Sequence, residues 1–173
     1  MKTLLSFALL ALTAPAAAQE PTHDLAAFKH WVDDNLNCRR DFAEDVQTRS
    51  FLDAAKALGV KFETDWQEGD TPEGKFVLPS PVLVGGQPAT EINYWADSGG
   101  EFYATVSAPP DAIAKALGAN PVPEKLKNEF AGNVVAAKFI RAKPKGERIP
   151  PAIFVRQSEK PGITEVGCVF FDG

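Results

Sequence analysis

Histidine is scarce in this 173-residue chain, with only His23 and His30 present. A Ser-His-Asp constellation would have to recruit one of these two, and no G-x-S-x-G segment supplies an exposed nucleophilic serine. Cysteine is equally sparse. Cys38 and Cys168 stand far apart and form no C-x-x-C pair, which argues against dithiol redox chemistry. Phosphate-cradling patterns are missing too. Gly85-Gly86-Gln87 follows an apolar run, but no Lys-Ser/Thr or G-x-G-x-x-G pattern attends it and Pro88 opposes an immediate helix, so it reads as a turn. Past the N-terminal segment, no uncharged apolar stretch reaches the roughly 20 residues a spanning helix needs. A net charge of −5, with no long block of like charge, argues against nucleic acid and anionic membrane surfaces as partners.

The N-terminus carries the most specific pattern. Met1-Lys2 is positive, residues 4–12 are apolar apart from Ser6, and Ala16-Ala17-Ala18 places small residues where a signal peptidase reads. This predicts a signal peptide over residues 1–18, cleaved after Ala18, and a single domain over residues 19–173 in the periplasm or outside the cell. Two cysteines in an exported chain predict a bond between Cys38 and Cys168.

Helical spacing of Leu25, Phe28, Trp31, Val32 and Leu36 predicts a helix over 24–36, capped by Thr22 or Asp24. A second helix is expected over 41–58, with a possible break at Arg49-Ser50 and a stop at Gly59. Short strands are expected over 60–64, 75–78 and 82–84, the last two separated by Pro79 and Pro81. Two β-rich runs around Asp97-Ser98-Gly99-Gly100 predict a hairpin in which Tyr94 faces Tyr103 and Trp95 faces Phe102. In that register Trp95, Phe102, Ala104 and Val106 form the core face; Ile92, Tyr94, Tyr103 and Thr105 form the other. Short helices are expected from Pro110 to Leu117 and after Pro123. A strand over 133–142, apolar on both faces, reads as central. A closing hairpin joins 152–157 to 163–171. The ordering predicts an α+β fold: an antiparallel sheet of about five or six strands with helices on one face. The disulfide tethers the two N-terminal helices to the last strand.

Few residues suggest chemistry. His30 and Asp34, one helical turn apart, are the best metal-ligating candidates, yet a site usually needs three or four converging ligands. Glu63, Asp65, Glu68, Asp70 and Glu73 crowd one segment without the spacing of a calcium loop, and no cofactor is expected. Tyr94 and Tyr103, on the less apolar hairpin face, are candidates for partner binding because tyrosine contributes large area at low entropic cost. Lys143, Lys145 and Arg148, in a Pro-rich loop that also follows Lys138 and Arg141, could dock an acidic partner or carboxylate. The expectation is an exported, non-enzymatic binding module such as an inhibitor, immunity-type or envelope-assembly protein, whose partner is another exported protein or a small ligand. The alternatives are a small hydrolase or metal-dependent enzyme using the acidic segment, and a carrier of a small apolar ligand.

Overall fold

A computed structural model describes residues 20–63, 72–97, 99–140 and 149–171. The predicted signal peptide lies outside them. Helix α1, Leu25–Leu36, begins where the Asp24 side chain, in extended backbone, accepts a hydrogen bond from the Ala27 N–H at 2.8 Å. Its stripe of Phe28, Trp31, Val32 and Leu36 is buried. The expected helix over 41–58 is two helices, α2 (Ala43–Val46) and α3 (Arg49–Ala57). They part at Thr48, whose backbone is extended and whose hydroxyl bonds to the Glu44 carbonyl. The bend lets Val46, Phe51, Leu52 and Ala55 all reach the core, while Asp45 accepts the Trp31 indole N–H at 2.7 Å.

Among the described residues, eight strands form one antiparallel sheet, larger than the five or six expected. They are β1 (Lys61–Glu63), β2 (Glu73–Val84), β3 (Gln87–Ala96), β4 (Gly100–Val106), β5 (Asn120–Pro121), β6 (Val134–Phe139), β7 (Ala152–Gln157) and β8 (Thr164–Phe170). Their spatial order is β1-β2-β3-β4-β8-β7-β6-β5. Strand β1 falls within the short strand expected over 60–64, whereas the two-residue edge strand β5 was not expected. The two runs split by Pro79 and Pro81 are one strand, β2, whose pairing with β3 shifts between Val77 and Val82. Prolines lack the N–H a ladder needs, so the irregularity falls on them. Gly85 and Gly86, at φ of 56° and 80°, make the two-residue turn from β2 to β3, a conformation that favours glycine.

Helices α1 to α3 and α4 (Pro110–Leu117) share one large core with one face of the sheet. The opposite face is covered over β6, β7 and β8 by Val122, Leu126 and Phe130 of a 3-10 segment, Glu124–Glu129, and its flanks. This second core explains why β6 is apolar on both faces without being central: Ala136 enters the first core and Val134 and Ala137 the second. The central position belongs to β8, flanked by β4 and β7. Cys168 of β8 is bonded to Cys38, which follows α1 with a left-handed φ of 54° and lies 5.2 Å away between Cα atoms. The tether of N-terminal helices to the last strand is as expected.

Candidate functional site

The hairpin register differs from expectation by one residue. Ala96 pairs with Gly100, not Glu101, so the loop holds three residues, and Tyr94 pairs with Phe102 while Tyr103 pairs with Asn93. A one-residue slip carries a whole strand to the other face. Tyr94 therefore lies in the main core, 4% exposed, against the rings of Phe42, Phe62 and Phe76. Trp95, expected inside, points to the opposite face with Asn93, Tyr103 and Thr105. The two tyrosines share no face.

That opposite face is divided in two. Over β6 to β8 it is buried; over β2 to β4 it is open, and Lys75, Asn93, Trp95, Tyr103 and Thr105 are all half-buried there. Two adjoining hollows of about 530 and 440 Å³ occupy this open half, and Lys75, Asn93 and Tyr103 line both. Lys75 is held at one side by Glu63, 2.9 Å away; this hydrogen bond raises its pKa above the ordinary value.

The boundary between the two halves is a buried ion cluster that sequence reasoning missed. Arg156, on β7, grips Glu101 of β4 through both terminal nitrogens at 3.1 and 3.0 Å. Its Nε donates to Glu165 of β8 at 2.7 Å, and its Nη1 also donates to the Ala131 carbonyl at 2.9 Å. Burial alone would lower the guanidinium pKa, but the charge of Glu101, reinforced by the hydrogen bonds that Arg156 donates to Glu101 and Glu165, moves it upward overall. The guanidinium lies over the rings of Tyr103 and Phe154, at 5.2 and 4.7 Å from their centroids. Gly132 makes room for it, since a Cβ there would sit 2.8 Å from Arg156 Cδ.

Tyr103 is fixed from several sides. It faces Gly167 across the β4–β8 ladder, and Gly167 in turn faces Phe154 on β7. A side chain at Gly167 would overlap the Phe102 carbonyl oxygen, so the glycine permits the close strand approach, and the tyrosine ring spans the gap toward Phe154, 6.1 Å away. Burial lifts the Tyr103 phenol above its ordinary pKa; the Glu165 carboxylate adds to the rise and the Arg156 charge opposes it. The Arg156–Glu165 contact was within reach of the sequence, since both lie opposite each other in the closing hairpin. Glu101 was not, because it reaches Arg156 only where β4 meets β8, a sequence separation of 55 residues.

The other sequence candidates are separate from this face. His30 Nε2 lies 3.4 Å from Asp34, and ligand atoms of His30, Asp33 and Asp34 fall within 4.8 Å of one another. The Arg39 guanidinium already engages both carboxylates, at 3.2 and 3.4 Å, and would oppose a divalent cation. His23 precedes α1 and lies outside the helix. Lys143, Lys145 and Arg148 lie outside the described residues, as do Asp65, Glu68 and Asp70 of the acidic segment. Lys138 bonds to the Leu117 carbonyl at 3.1 Å. A slot between α1 and α4, lined by Leu36, Val84 and Leu117 together with the polar Asp33, Asn37 and Arg39, measures about 220 Å³. It is smaller than the roughly 300–1,000 Å³ of sites that enclose a drug-sized ligand.

The chain matches no protein-family profile, no curated protein and no solved structure.

Proposed function

We propose that this chain is an exported binding module that holds a partner or ligand on the open half of its sheet without transforming it. The observation that carries this reading is the division of one sheet face. Half is sealed by the 3-10 segment, while the adjoining half leaves Trp95 and Tyr103 half-buried beside two hollows. Large aromatic side chains on an uncovered sheet are costly in water and are favoured where a partner covers them. The chemistry at the boundary supports binding over catalysis. Glu101 and Glu165 are both committed to Arg156, and Tyr103 is biased toward its neutral form. A general acid or base must be free to exchange a proton with a substrate. The leader-like N-terminus and the Cys38–Cys168 bond support an oxidising compartment.

A photoreactive diazirine residue at position 91, an exposed position on the rim of the larger hollow, installed in the full chain in living cells, tests the reading. Light should produce an adduct from position 91 and none from position 125, an exposed site on the 3-10 segment. No adduct at 91, or equal labelling at both sites, would refute it. Export is tested by fractionation and N-terminal sequencing: mature protein outside the cytoplasm should begin at Gln19.

A further inference from the structure

The open half-face has a composition that narrows what it can recognise. Lys75 and Lys160 stand with Glu91 and Glu165 around the larger hollow, and Glu63 and Glu73 flank the smaller one. Two of these are paired within the protein, Lys75 with Glu63 at 2.9 Å and Glu165 with Arg156 at 2.7 Å. An anionic ligand would meet no cationic surplus here, and any ionic ligand would have to compete with existing pairs. The remaining lining is neutral and rich in hydroxyl and amide groups. Among the described residues, the side chains of Thr90, Asn93, Thr105 and Ser107 make no hydrogen bond within the protein, so they are available to a ligand. Beside them stand Trp95 and Tyr103, the second ring fixed by Phe154 and by the Arg156 guanidinium that lies over it.

An aromatic surface next to uncharged donors and acceptors matches a sugar ring, which presents apolar C–H faces and a rim of hydroxyls. The hollows run along β3 from Trp95 to Thr90, about 17 Å at roughly 3.4 Å per residue. That is longer than one sugar ring and fits a chain of several. Resting on the binding-module reading above, we infer that the open half-face binds an uncharged oligosaccharide, with Trp95 and Tyr103 as stacking surfaces and Asn93 and Thr105 as hydrogen-bonding groups. Because Tyr103 is held in place before the ligand arrives, little side-chain freedom is lost there on binding.

Calorimetric titration of the mature protein with cellotetraose and with chitotetraose tests the inference. At least one should bind, with affinity unchanged within about twofold between ~20 mM and ~500 mM NaCl, as expected for a neutral ligand. Trp95→Ala should weaken binding about tenfold or more, the loss typical of an aromatic anchor. Asn93→Asp, which preserves shape, should weaken it as well, and circular dichroism should show both variants folded. Absence of binding by either tetrasaccharide at ~5 mM, the weak end of measurable affinity, overturns the inference. If the residue-91 photoprobe then captures a protein, the binding-module reading stands and only the sugar is lost. If the probe captures nothing, both fall. Binding confined to an anionic polysaccharide such as polygalacturonate, and lost at high salt, also overturns it.

Discussion

Replacing Arg156 with methionine keeps most of an aliphatic stem in place and removes a buried charge together with three hydrogen bonds, one each to Glu101, Glu165 and the Ala131 carbonyl, and a second ion-pair contact to Glu101. Glu165 is near solvent and can rehydrate. Glu101 is 2% exposed and has no other cation against it among the described residues. Breaking a buried pair from one side costs about 3–5 kcal/mol, because the surviving charge has lost both water and partner. A domain of this size is stable by about 5–15 kcal/mol in total. Urea unfolding of the oxidised protein should therefore show a lower midpoint with an unchanged m-value. The melting temperature should fall by about 6–20 °C, at roughly 2–4 °C per kcal/mol. Adding Glu101→Gln to Arg156→Met should restore at least about 2 kcal/mol, since most of the loss is an uncompensated charge and not a cavity. A single-variant loss below about 1 kcal/mol, or no recovery in the double variant, would refute this account.

Cys38→Ser combined with Cys168→Ser opens a loop of 130 residues and should lower unfolding free energy by about 5 kcal/mol in the chain-entropy model. Denaturation showing a loss below about 1 kcal/mol would contradict it. Gly167→Ala should cost more than about 3 kcal/mol, because its Cβ would overlap the Phe102 carbonyl and sit 2.5 Å from Tyr103 Cα, forcing β4 and β8 apart. A melting curve like that of the parent protein would show that the ladder yields more easily than the geometry implies. Tyr103 has a raised phenol pKa in the fold, so its contribution is fully present below the ordinary value of 10.0 and is lost as pH climbs through the folded value. Stability should fall with rising pH above 10.0, and Tyr103→Phe should flatten that fall; an identical slope in the variant would exclude Tyr103 as its source.

Local patterns were legible where local physics decides. The α1 stripe, the Asp24 cap, the turn at Gly85-Gly86 and the closing hairpin all follow from spacing and turn chemistry. The β3–β4 hairpin was recognisable, but its facing was not, because that depends on whether the turn holds three residues or four. Trp95 looks like a core residue on size, yet the alternation of Ile92, Tyr94 and Ala96 is the more consistent inward set. Strand β5 went unread because a run of two residues carries almost no periodic signal. The open half-face was invisible for a longer-range reason. It exists because the 3-10 segment covers β6 to β8 and stops there, and nothing in the local sequence around Val122 or Phe130 marks where that cover ends.

The place of β8 between β4 and β7 sets a schedule for building the molecule. Residues 164–170 emerge after every strand they join, so β4 lacks its neighbour until the end of the sheet's sequence has been delivered. Throughout that interval β4 carries a raw edge that could zip onto other copies. A stop codon ahead of position 164 would therefore remove the middle of the structure and leave its flanks unjoined, and assembly of the whole sheet must be a late, nearly all-or-none event.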